Sequence, residues 1–139
     1  SETVEWIVHT YGRGQAVGLL ATSGTLQSQV YHQAARRSGL ELITPGFDYQ
    51  ALVMEAIYGE RGIKAGFTQG VCREQLLLAA EHLCEQGAKV LILGCTELPL
   101  VLAHCDVFEI GAHRVALVDP TTVLARRCVS LSSGAYRIG

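Results

Sequence analysis

The residues best equipped for chemistry lie in Lys89-Val-Leu-Ile-Leu-Gly-Cys-Thr-Glu-Leu-Pro99. Val90 to Leu93 form an unbroken apolar run, as expected of a parallel-sheet strand covered on both faces. Gly94 removes the side chain where the backbone must turn. Cys95 then falls at the carboxyl end of the strand, where open α/β sheets place their ligand crevices. Thr96 is expected to cap a following helix, and Glu97 in its first turn would suit the dipole. Pro99 is tolerated there, because first-turn amides have no helical partner. A thiol beside a helix N-terminus tends to have a lowered pKa, and the thiolate is the reactive form. The stretch therefore predicts a reactive cysteine at the mouth of an α/β site rather than a small residue merely buried at a strand end.

Three further groups have chemical capacity. Thr22 and Thr25 bracket a strand-to-helix turn, where hydroxyls and free amides can bind a carboxylate. Ser23 and Gly24 would add backbone amides. The simpler role for these residues is helix capping, worth ~1 kcal/mol. Lys64, between Gly62 and Gly66, is either a solvated surface lysine or a compact positive charge for an anionic ligand. Asp119 and Thr121 sit at another strand-to-helix turn, where Asp119 reads as a cap or hinge. His82 with Cys84 and His104 with Cys105 lack paired CxxC or HxxxH spacing, and the first pair falls on different helix faces, so no metal site is predicted. His9, His32 and His113 read as surface residues.

Positioning these groups requires alternating strands and helices. A helix is predicted over 3–11, with Val4, Ile7, Val8 and Tyr11 on one stripe. Val17 to Ala21 is a strand. Leu26 to Ser38 is a helix with Gly39 at its end. Leu40 to Ile43 is a strand stopped by Pro45-Gly46. Asp48 is expected to cap a helix over 49–58. Arg73 to Gln86 is a strong helix, with Leu76, Leu77, Ala80, Leu83 and Cys84 inward and Gly87 ending it. A short helix over 98–103, a strand over 115–118 and a helix over 121–131 complete the pattern. The alternation and short connections define an α/β class with a mainly parallel sheet flanked by helices.

At 139 residues the chain is one domain by length and can bury a core. Its 49% hydrophobic and 17% charged residues fit a well-covered sheet. A net charge of −2 gives no electrostatic footprint for nucleic acid. No apolar run approaches the ~20 residues of a membrane span. Five cysteines without regular spacing argue against a disulfide framework and for a reducing, cytoplasmic compartment.

Gly94-Cys95-Thr96-Glu97-Leu98 resembles the second cysteine motif of the cofactor-independent aspartate/glutamate racemase family. Three further stretches resemble family segments in the same order. Leu20 to Tyr31 is similar to the strand-to-helix segment with its two threonines. Ile57-Tyr58 with Ile63-Lys64-Ala65-Gly66 is similar to the central lysine segment, and Val118-Asp119-Pro120-Thr121-Thr122 to the late strand and last helix start. The resemblance runs from about Ala16 to about Arg127. The family's first catalytic cysteine, near an Asn-Thr-x-His stretch, has no counterpart among Cys72, Cys84, Cys105 and Cys128.

The resemblance implies a flavodoxin-like racemase domain and a small acidic amino acid as substrate. It implies Cys95 as acid/base, and Thr22, Ser23, Gly24, Thr25, Lys64, Thr96 and Glu97 around the substrate, with neither pyridoxal phosphate nor metal. Thr96 ranks above Glu97 for direct contact. It further implies that residues 1–14 are a linker helix from a first domain, that 15–114 form the second domain, and that 115–139 return to the first. Pairing of two copies, or association with a separate first half, is then expected. Two alternatives stay open: a related hydantoin racemase or maleate isomerase, and a non-catalytic dicarboxylate-binding domain or inactive truncated racemase half.

Overall fold

The computed structural model describes residues 1–128. Helix α1 (Glu2–Tyr11) leads to β1 (Ala16–Leu20), α2 (Ser23–Ser28), α3 (Val30–Ser38) and β2 (Glu41–Ile43). Then come α4 (Phe47–Tyr58), a 3₁₀ turn (Ile63–Ala65), α5 (Val71–Glu85) and β3 (Ala88–Leu93). A second 3₁₀ turn (Leu98–Leu100), β4 (Cys105–Ile110) and β5 (His113–Val118) follow, and residues 120–128 are helical.

The strands form one sheet in the order β2-β1-β3-β5-β4. β1 runs parallel to β2 and β3, and β3 parallel to β5, while β4 is antiparallel to β5. The fold is thus α/β, with a mainly parallel sheet flanked by helices. The order begins as in flavodoxin-like sheets, so the chain reverses direction across the sheet between β1 and β3, where such folds open a crevice.

Strand periodicity of two divides the core cleanly. Leu20, Leu91, Leu93, Val115 and Leu117 face one way, onto Val53, Ala56 and Ile57 of α4 and Leu76, Ala80 and Leu83 of α5. Val17, Leu19, Val90, Ile92, Ala116 and Val118 face the other, onto Val4 and Ile7 of α1 and Ala34 and Ala35 of α3. Gly18 lets α5 approach β1: a Cβ there would lie 2.6 Å from Leu91 Cδ2 and 3.1 Å from Leu83 Cδ1.

Several local expectations are corrected. The helix expected over 26–38 is two helices, because Gln29 adopts a left-handed conformation with φ of 62°. Side-chain spacing does not encode that single-residue reversal. Asp48 does not cap α4; Gly46 occupies the cap position without a side-chain bond. The strong helix begins two residues before Arg73, at Val71. β4 escapes periodicity, since as an antiparallel edge strand it shows no clean alternation: Asp106 and Val107 are both exposed. The 129–131 end of the last expected helix lies outside the described residues.

Candidate active site at the strand ends

Register brings three strand ends to one edge. Leu20 pairs with Leu93, and Ile92 with Val118. The next residues therefore emerge together: Ala21-Thr22 after β1, Gly94-Cys95 after β3 and Asp119 after β5. The amide of Gly94 donates to the carbonyl of Leu20 at 2.7 Å. This close approach favours glycine, since a Cβ at position 94 would press on Leu19 Cδ1 at 2.9 Å and Ala21 Cβ at 3.2 Å. A cavity of about 80 Å³ opens there, lined by Tyr31, Leu93, Gly94, Cys95, Thr96, Asp119, Pro120 and Thr121.

Cys95 is half-buried, and its thiol donates to Glu97 Oε2 at 2.8 Å. The same oxygen accepts from Thr96 Oγ1 at 3.1 Å, and Oε1 takes Lys64 Nζ at 2.8 Å. Lys64 also lies 5.6 Å from the Tyr58 ring centroid. Residues 33 positions apart are thus joined around one carboxylate, and Glu97 rather than Thr96 is the hub. Hydrogen bonds from Cys95, Lys64 and Thr96 hold the Glu97 carboxyl down to about 2. The carboxylate in turn raises the Lys64 ammonium pKa.

The expected low-pKa thiol is not what the site builds. Burial, then the hydrogen bond to the Glu97 carboxylate, push Cys95 above its ordinary value, and Lys64 and a backbone amide offset only part of this. The reason is local structure. Only a single 3₁₀ turn, Leu98–Leu100, follows the cysteine, and Thr96 caps nothing. A helix dipole strong enough to favour the thiolate is missing, so Cys95 rests as a protonated thiol.

Thr22 does cap α2: its Oγ1 accepts the Thr25 amide at 3.3 Å and donates to Thr25 Oγ1 at 3.1 Å. That leaves the Thr25 hydroxyl proton available to a ligand. The Ser23 amide is taken by Met54 Sδ at 3.3 Å, and its hydroxyl by Gln50 Nε2 at 3.3 Å. Gln50 also donates to the Ala21 carbonyl at 2.9 Å. Among the described residues, only Thr22 Oγ1, at 4.0 Å, comes within contact of a Cβ at Gly24. Asp119 acts as a cap: Oδ1 accepts the Thr121 amide at 2.9 Å and Oδ2 the Thr122 hydroxyl at 3.1 Å.

Tyr31, Gln50 and His104 were not legible as site residues. Tyr31 lines the cavity from α3, Gln50 of α4 braces the turn after β1, and His104 reaches the Asp119 amide from the connection before β4. The other cysteines lie elsewhere: Cys72 and Cys84 are buried in α5, Cys105 is in β4 and Cys128 is exposed. Among the described residues no three His, Cys, Asp or Glu side chains converge as metal ligands. No described helix is long and apolar enough to cross a membrane.

The family model for Asp/Glu/hydantoin racemases matches residues 5–128. The chain belongs to that family. An uncharacterized protein in the pnlA 3′ region of Pectobacterium carotovorum subsp. carotovorum is 34% identical over 113 residues, covering 81% of this chain and 70% of that protein. An aspartate racemase homologue from Pyrococcus horikoshii OT3 superposes with a TM-score of 0.73 at 26% identity, covering 95% of this chain and 54% of its own. The aspartate racemase of Picrophilus torridus shares the fold, with a TM-score of 0.62 at 20% identity over 85% of this chain and 45% of its own. The chain spans about half the length of these solved structures.

Proposed function

We propose that this chain forms one face of a cofactor-independent amino-acid racemase site, with Cys95 as its acid/base group. The observation that carries this reading is the Cys95 thiol in the cavity at the carboxyl ends of β3 and β5, hydrogen-bonded to a Glu97 carboxylate that is paired with Lys64. An amino-acid α-proton is too weakly acidic for an ordinary base in water, so a racemase must stabilise developing negative charge and hold its base in place. Inversion then needs one group on each face of the carbon. A base on the far face takes the α-proton as the C–H bond breaks. Cys95 returns a proton to the near face as the new C–H bond forms, and is left as thiolate.

The substrate in this reading is a small acidic amino acid, in line with the relatives named as aspartate racemases. Its carboxylate competes with Glu97 for Lys64. Thr96 and the free Thr25 proton are further contacts, with Thr22 holding Thr25 and Ser23 and Gly24 shaping the turn. The far-face cysteine is supplied by a separate first half or a second copy. A hydantoin or maleate substrate is the related alternative, and a substrate panel separates the two. The second reading, a dicarboxylate-binding domain without turnover, is favoured by one observation: no second cysteine lines the cavity.

The test is α-proton exchange in deuterated water, followed by proton NMR, with each enantiomer of aspartate and glutamate. Exchange by the chain that disappears in Cys95→Ser is expected. Wild-type exchange in that variant would remove Cys95 from the mechanism. Calorimetric binding without exchange would favour the binding domain.

A further inference from the structure

His104 lies in the connection between the second 3₁₀ turn and β4, outside the cavity. Its Nδ1 accepts the backbone amide of Asp119 at 3.0 Å. Asp119, Pro120 and Thr121 line the same cavity as Cys95. Because Nδ1 is the acceptor, the ring proton of the neutral imidazole sits on Nε2. Nε2 is buried and finds no hydrogen-bond partner among the described residues. The Trp6 ring of α1 packs against the imidazole, with centroids 5.7 Å apart. Protonating the ring would place a second N–H at Nδ1, aimed at the Asp119 amide, with no acceptor for either among the described residues.

We propose that His104 is a positioning residue that holds the Asp119–Thr121 wall of the Cys95 cavity as a neutral imidazole and releases it when protonated. Its surroundings favour the neutral form. Burial lowers its pKa below the ordinary 6.5, and Arg126, on the last helical segment, acts in the same direction. Asp119, and Asp106 on β4, oppose this only in part, and Tyr11 of α1 engages Asp106 by a hydrogen bond of 3.2 Å. The wall is therefore held at neutral pH and let go in acid. Its effect on turnover rests on the racemase reading; the hydrogen bond does not.

The test compares the full chain with His104→Asn and His104→Ala. The Asn Oδ1 can occupy the place of Nδ1 and accept from Asp119, but it does not titrate. In a ¹H–¹⁵N NMR titration of the wild type, the Asp119 amide should move with the midpoint of the His104 ring, below 6.5. In His104→Asn that movement should vanish, while the Asp119 carboxylate is still present as a control. Trp6, the sole tryptophan, should be quenched with the same midpoint in the wild type alone. The KM for α-proton exchange should rise on the order of fivefold in His104→Ala, as for loss of one ordinary hydrogen bond, and stay near wild type in His104→Asn. An Asp119 amide indifferent to His104 protonation, or an Asn variant no better than Ala, would overturn the proposal. If no variant exchanges protons yet the amide follows His104, the racemase reading falls and the positioning role stands.

Discussion

Glu97→Gln tests the central electrostatic claim, that a carboxylate keeps Cys95 as a thiol. Gln preserves the shape and an acceptor oxygen but removes the charge. Hydrogen bonds to charged groups contribute ~1.5–3 kcal/mol and neutral ones ~0.5–1.5, so the substitution weakens the hold on the thiol proton by about 1 kcal/mol. The lower end applies because a quarter of the Glu97 side chain (25%) is in contact with solvent, which screens it. Freed from its 2.8 Å partner, Lys64 acts in the same direction. About 1 kcal/mol corresponds to a thiolate fraction on the order of fivefold higher at neutral pH. A less basic thiolate is also less nucleophilic, with a Brønsted slope of ~0.4–0.5. The two effects leave a net gain of about two- to threefold in alkylation rate. Iodoacetamide labelling at neutral pH, read by peptide mass spectrometry, separates Cys95 from the exposed Cys128. In the wild type the rate should climb with pH and turn over above 9.0. An unchanged or slower rate at Cys95 in Glu97→Gln would refute the reasoning, because neither the lost charge nor the freed lysine can disfavour the thiolate.

Gly94→Ala should lower stability by ~1–3 kcal/mol in urea unfolding, as overpacking does, since its Cβ would press on Leu19 and Ala21. It should also reduce any Cys95-dependent exchange, because the strain falls at the turn that aims the thiol. Thr22→Ala should cost ~1 kcal/mol of stability through loss of the α2 cap, measured by thermal melting. It should also raise the KM for exchange, since the Thr25 hydroxyl loses the partner that orients it.

How much was legible in the sequence follows from what local chemistry can encode. The apolar run before Gly94, the periodicity of α5, the class of the fold and Cys95 at a strand end are all set by neighbours in sequence, and they are seen in the structure. Thr22 as a cap is of the same kind, because its partner is three residues away. The state of the thiol was decided by tertiary structure. From sequence, Thr96 and Glu97 read as the start of a helix that would favour a thiolate. In the fold, the segment makes a single 3₁₀ turn and Lys64 arrives from a distant loop, so Glu97 becomes an ionised acceptor and the thiol keeps its proton. β4 was hidden because an exposed edge strand needs no apolar alternation. Tyr31 and His104 were hidden because the first depends on one left-handed residue, Gln29, and the second on a backbone amide 15 residues away. Sequence fixes which groups can do chemistry; the pairing of strand ends decides which of them meet, and hence their protonation.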